Sequence, residues 1–391
     1  MKKALKILLT ILLSLAALCL GLLLLSALSN FGLPQASASP ETLNEAELTR
    51  QSELFHLRRA VGDAVWSGWG AADLPAITYN EGYAFLLGYS GQPPAGWVKV
   101  PAGAQRGKDW QILPGKTFDG QGIYVQPLPP ALYPENFAVR VGERWVSSLQ
   151  TREWMEIQLA QTVRADLPGF LRPVFPYRLF IGLMLGSDDK YISAAAHESF
   201  HAWQGLAAPQ KFAAAESAAR LDERYPWDDE SLSQDWKAEL QRLAEMLRGE
   251  NPAALPAQVR RFLELRAARR QSAGLSPELI AYEQQREWLE GLARYAELEI
   301  WRQGSLPGYE PLPSTASLPN FDRYQGFETR WRQELDQMPR MYNDEGDGRF
   351  YYSGMAQACL LDRLLPGWKA RAFDDGVWLE TLLAEALQME K

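Results

Sequence analysis

The chain has 391 residues, a formal net charge of −8, 47% hydrophobic residues and 23% charged residues. That composition excludes a disordered or collagen-like chain, and the acidic balance argues against nucleic acid as the main partner, because phosphate binding wants a basic face. With two cysteines (Cys19, Cys359) and three histidines (His56, His197, His201), a disulfide scaffold and a thiolate zinc cage are excluded as well.

At the start, Lys2, Lys3 and Lys6 precede an apolar run from Ile7 to Leu28, and no acid appears before Glu41. A basic start followed by apolar residues is a secretory or membrane-insertion signal. The run is close to the roughly 20 residues that span a bilayer, while Ala36-Ser37-Ala38 offers a small-residue cleavage site. Anchor and cleaved signal both stay open. Either leaves the lysines inside and places the rest outside the cytoplasm, in a bacterial cell envelope. Residues 1–30 are therefore expected as signal peptide or anchor and 31–42 as a linker, with Phe31 to Pro40 short and flexible.

Glu41 to Val65 reads as a helix. Trp66 to Leu149, rich in Gly, Pro and aromatics, reads as several strands of a mostly antiparallel sheet. Thr151 to Leu171 is expected as a helix and Tyr177–Leu185 as a buried strand, bounded by Pro176 and Gly186. From Ser187 the pattern is helical: Tyr191–Leu206, Ser231–Arg248, Pro256–Arg270, and a helix capped by Ser276 with Pro277 in its first position, running to about Arg302. After a proline-punctuated loop come Phe327–Gln337, Gly354–Leu365 and Val377–Met389. The fold class is α+β: a strand-rich region, 43–175, then a mainly helical region, 176–391, with a helical insertion at about 210–275.

His197-Glu198-Ser199-Phe200-His201 is an H-E-x-x-H run on one of these helices. Residues four apart share a helix face, so both imidazoles can reach one metal ion, with Glu198 beside them as a base. This is the zinc-hydrolase arrangement. Phe200 and Trp203 point toward the core. A catalytic zinc site usually has three protein ligands. The metzincin pattern needs Gly at 204 and His at 207, where this chain has Gln204 and Ala207, and His56 lies far upstream. A carboxylate is then expected as third ligand. Glu283, Glu287, Glu290, Arg294 and Glu297 form a polar stripe at helical spacing. Glu290 stands out because Gly291 follows it: a helical glycine needs a reason, and close approach to a neighbouring helix is one. Glu287 and Glu216 are the next candidates.

The H-E-x-x-H run followed by Trp288-Leu289-Glu290-Gly291-Leu292-Ala293-Arg294-Tyr295-Ala296-Glu297 resembles the gluzincin metallopeptidases, in particular the membrane-alanyl and glycyl aminopeptidase families. The resemblance implies a zincin-like fold, Zn²⁺ as cofactor, His197, His201 and Glu290 as its ligands, and a peptide or protein substrate. It also implies an oxyanion-stabilising phenol near Phe350-Tyr351-Tyr352-Ser353-Gly354, from Tyr351 or Tyr352. Glu287, Arg294 and Glu297 would orient the ligands. The chain departs from those families in three ways: Trp288-Leu289 abuts Glu290 with one residue fewer, the span from His201 to Glu290 is longer, and the Gly-x-Met-x-Asn motif is absent.

The expected function is that of an exported or membrane-anchored zinc metallopeptidase with Glu198 as general base. The alternatives are an inactive zincin-like binding or assembly protein and a carbohydrate-active protein using Trp66, Trp69 and Trp97. Against the last, glycosidases use two carboxylates and no histidine pair.

Overall fold

In the computed structural model, residues 2–101, 103–129, 133–249 and 251–389 are described. Helix α1 (Lys2–Ser29) opens the chain, and its Leu5–Ser29 stretch is long and apolar enough to cross a membrane or serve as a signal sequence. None of the apolar window within that stretch is buried in the protein.

The segment after α1 is not the free linker expected from its composition. Asn30 Nδ2 donates to the carbonyls of Pro173 and Phe175 at 3.0 and 2.9 Å. The Ser37 amide and hydroxyl both donate to the Glu81 carboxylate at 2.6 Å, and the Ala38 amide donates to Glu153 at 3.0 Å. Small and polar residues lack an apolar face, but here their backbone groups find acceptors on the body, which residue type alone does not reveal.

Helix α2 (Glu45–Val65) starts at Asn44, whose side chain accepts from the Glu47 amide. Eight strands follow: β1 (Ala76–Tyr79), β2 (Tyr83–Leu87), β3 (Trp97–Val98), β4 (Gln105–Arg106), β5 (Gln111–Phe118), β6 (Gln121–Pro127), β7 (Phe137–Val141) and β8 (Arg144–Gln150). They form one sheet in the order β4-β3-β7-β8-β1-β2-β6-β5. Each neighbouring pair is antiparallel except β1 and β8, which run parallel with Ala76 opposite Ser147. The expected mostly antiparallel sheet is therefore present, with one parallel pair at its middle.

Next come α3 (Arg152–Asp166), capped by Thr151, and α4 (Tyr177–Leu185). The expected strand at Tyr177–Leu185 is thus a helix. It satisfies its own backbone hydrogen bonds at the surface and buries just Tyr177 and Ile181, four residues apart. A short apolar run cannot be told from a helical one by composition, and that spacing is the helical period.

Helix α5 (Asp188–Ala207) carries both motif histidines and packs on β7 and β8. A Cβ at Gly205 would sit 2.5 Å from the Trp145 ring, so glycine lets helix and strand meet. The insertion holds α6 (Pro209–Ala218), a 3₁₀ turn (Ala219–Arg224), α7 (Glu230–Arg248) and α8 (Leu255–Ser272). Ser276 caps α9 (Pro277–Arg286), as expected. A π turn (Glu287–Gly291) joins α9 to α10 (Leu292–Ser305), and α11 (Phe327–Gln337), α12 (Gly348–Leu364), α13 (Trp368–Arg371) and α14 (Leu379–Met389) complete the chain.

The main core draws on α2, one face of the sheet, α5 and the later helices, so it runs across position 175/176. A smaller cluster, with Ile77, Tyr79, Leu86 and Val139, covers the other sheet face. Trp66, Trp69 and Trp97 are all buried in these cores, as packing residues and not as a sugar-stacking surface.

Candidate metal centre

On α5, His197 and His201 lie one turn apart with their Nε2 atoms 3.1 Å from each other. The far side of the His201 ring is held by a hydrogen bond, while that of His197 has a carboxylate beside it without one. His201 Nδ1 is 2.9 Å from Gln204 Oε1. Gln204 Nε2 donates to the carbonyls of Trp288 and Leu289 at 2.9 and 3.1 Å. Carbonyls only accept, so the amide nitrogen faces them and the amide oxygen faces the ring. His201 Nδ1 therefore carries the proton, leaving Nε2 a free lone pair. Both carbonyls belong to the π turn, whose i→i+5 bonding takes its carbonyls off the regular ladder, and such turns gather at functional sites. Behind His197, Nδ1 lies 3.3 Å from Glu297 Oε2. Glu297 is paired with Arg294 at 2.6 Å, which reaches Glu334 at 2.6 Å.

Glu290 completes the group. Its Oε2 lies 3.3 Å from His201 Nε2 and 3.7 Å from His197 Nε2. Its Oε1 accepts from Arg286 Nη2 at 2.9 Å, and Arg286 is fixed in turn by Asp347 and Glu216. A tetrahedral ion with ligand bonds of about 2.0–2.1 Å has ligand–ligand edges of about 3.3–3.4 Å, so the observed triangle has the dimensions of three such ligands. His197, Glu198 and His201 also offer ligand atoms all within 4.8 Å of one another. Glu290 Oε2 and Glu198 Oε2 are buried without a hydrogen-bond partner. Buried carboxylate oxygens are costly unless something positive faces them, and a divalent cation would.

The titration pattern agrees. Burial pushes the Glu198 carboxyl up to about 8; His197 opposes this, and Glu290 and Glu297 add to it. Burial alone would lower His197, but Glu290 and Glu297 outweigh it and raise the imidazole to about 10. His201 is lowered, chiefly by burial. Burial works against the Glu290 carboxylate too, yet His201 and Arg286 hold it well below its usual range. Three carboxylates around two imidazoles leave the pocket short of positive charge, and protons make up the deficit.

The Tyr351 ring stacks on His197 with centroids 5.5 Å apart and planes 8° from parallel, and its hydroxyl faces Glu290. Tyr352 points elsewhere: its hydroxyl meets Glu334 and its ring lies under the Arg294 guanidinium at 6.0 Å. Consecutive helical residues point about 100° apart, and α12 begins at Gly348, so both tyrosines lie within the helix and not in a stretch leading into it.

The expected single stripe is split. Glu290 and Glu297 face the histidines, with Arg294 acting through Glu297. Glu287 bonds Arg266 at 2.6 and 2.8 Å and Ser353 at 2.5 Å, away from the ligands. Glu283 pairs with Arg269 and Arg270. The wider π turn rotates the first part of the stripe away from the second. Glu216 meets Arg286 and not the histidines. His56 lies beside the Glu310 carbonyl and Tyr309, outside the centre. Gly291 serves the close approach expected of it, because a Cβ there would sit 2.4 Å from Gly354 Cα.

Four contributors are absent from the sequence reading. Gln204, three residues after His201, and Arg286, four before Glu290, sit at helical spacings that could have flagged them. Asp347 and Phe137, whose ring lies 4.4 Å from His201, come from distant segments with no such signal. Comparison with protein-family models, curated proteins and solved structures finds nothing that matches this chain.

Proposed function

We propose that this chain is a zinc-dependent metallopeptidase of the gluzincin type, acting outside the cytoplasm on peptide or protein substrates. The observation that carries the reading is the triangle of His197 Nε2, His201 Nε2 and Glu290 Oε2, with edges of 3.1, 3.3 and 3.7 Å. These three residues would hold the ion. Zinc, when bound, supplies Lewis-acid polarisation of a carbonyl and acidifies water toward neutrality.

Glu198, next to His197 and partly open to solvent, takes the proton from the attacking water and delivers it to the leaving amine. Tyr351 lies along the histidine face and donates its phenolic hydrogen to the carbonyl oxygen as that oxygen gains charge. Gln204 holds the His201 imidazole in one tautomer and orientation, and Glu297 lies 3.3 Å behind His197 Nδ1. Arg286 occupies Glu290 Oε1, so Oε2 is the oxygen that would be left to hold an ion.

The test is metal content by mass spectrometry and cleavage of casein and a peptide library by the full chain, beside Glu198→Gln and Glu290→Ala. The expected result is one zinc per chain, cleavage abolished by Glu198→Gln with zinc retained, and zinc lost in Glu290→Ala. Stoichiometric zinc with no cleavage of any peptide would favour the inactive binding scaffold instead. Full zinc affinity in Glu290→Ala would remove Glu290 from the ligand set.

A further inference from the structure

We propose that the segment 167–186, centred on α4, is a second membrane contact: an interfacial wedge that seats the folded body on the lipid surface beside α1. Most surface helices turn their apolar side inward. Helix α4 does the reverse. It buries Tyr177 and Ile181, while Leu179, Leu183 and Met184 are 63%, 73% and 52% exposed. Phe170, in the turn before it, is 77% exposed. Such a contiguous apolar patch on a soluble surface marks an interaction site.

Two observations name the occupant as lipid. The patch is continuous with the end of α1: Asn30 bonds the carbonyls of Pro173 and Phe175, and Arg178 Nε donates to the Ser29 carbonyl at 2.9 Å. A helix able to cross a bilayer therefore ends on this segment. The segment's composition is also interfacial: from Leu167 to Gly186 there is no Asp or Glu, and the charged residues are Arg172 and Arg178. Apolar residues flanked by arginines that can reach headgroups are the pattern of a helix lying in the membrane plane. An open cleft of about 810 Å³ runs beside α4, lined in part by Ile157, Ile181, Arg152 and Phe321.

The test uses the full chain carrying Cys19→Ala and Cys359→Ala, with one nitroxide label at Leu183→Cys, in vesicles of phosphatidylcholine and phosphatidylglycerol. Phe170→Cys is a second position should Leu183→Cys perturb α4, and Gln271→Cys on α8 is the aqueous control. The expected result is a label at 183 or 170 relaxed more strongly by oxygen than by a water-soluble nickel chelate, at least tenfold relative to position 271. Labels at 183 and 170 as open to the nickel chelate as 271 would overturn the proposal.

Discussion

Replacing Gly291 with alanine tests the geometry at the seam between the π turn and α12. On helix propensity alone the change would stabilise, because alanine is better than glycine in a helix interior by about 1 kcal/mol. The structure predicts the opposite sign. The new Cβ would lie 2.4 Å from Gly354 Cα, 2.8 Å from Gly354 C and 3.0 Å from Met355 N. These are backbone atoms, so no side chain can swing aside, and α12 must move away by about an ångström. Overpacking of this kind costs about 1–3 kcal/mol, which outweighs the propensity gain. The displaced pieces carry Glu290 on one side and Tyr351 on the other, so zinc affinity should fall as well, by about 10–100-fold, the usual scale for a disturbed ligand shell. Thermal unfolding of the full chain in detergent and zinc competition against a chromophoric chelator read the two effects. A variant with higher stability and parental zinc affinity would refute the reasoning.

Other outcomes follow from the same geometry. Gln204→Ala frees the His201 tautomer and should weaken zinc binding by about 10–100-fold, measured by the same competition. Tyr351→Phe should lower kcat by about 10²–10³-fold with zinc content unchanged, while Tyr352→Phe should leave kcat near the parent value; equal losses in both would contradict the assignment. Stability should fall in acid. The Glu283 and Glu380 carboxyls are each held at about 2, because Arg266, Arg269 and Arg270 outweigh the cost of their burial. Folded values below the ordinary 4.5 mean that this stabilisation is complete above about pH 4.5 and is lost as pH falls from there toward 2. Denaturation at stepped pH should show that slope, and Glu380→Gln should flatten it.

Some of this is legible in the sequence. Glycine after Glu290 marked a close helix contact, and Ser276-Pro277 marked a helix start, because both are local rules acting over a few residues. The histidines could be put on one face because a four-residue spacing fixes that in any helix. What stayed hidden depended on departures from regular geometry or on distant partners. The π turn separates Glu287 from Glu290, and no 3.6-residue pattern anticipates it. Tyr177–Leu185 reads as a buried strand because an apolar run usually goes inside, whereas α4 turns much of its apolar surface outward. Arg286 reads as an ordinary helix-surface arginine until Asp347 and Glu216 arrive from elsewhere in the chain to bury it.

If the proposed peptidase reading holds, the docking of residues 30–40 on the body bears on how the chain would meet its substrate. Ten free residues would behave as a flexible coil with an end-to-end distance of about 17 Å, and a catalytic body on such a lead could sample bonds over a broad shell of heights. With Ser37 held by Glu81 and Ala38 by Glu153, that lead has almost no slack. If α1 stays in the bilayer, the candidate metal centre stands at one altitude above it. Substrates held in the same membrane would then be selected by how far their scissile bond lies from the lipid surface, and encounter would become a lateral, two-dimensional search.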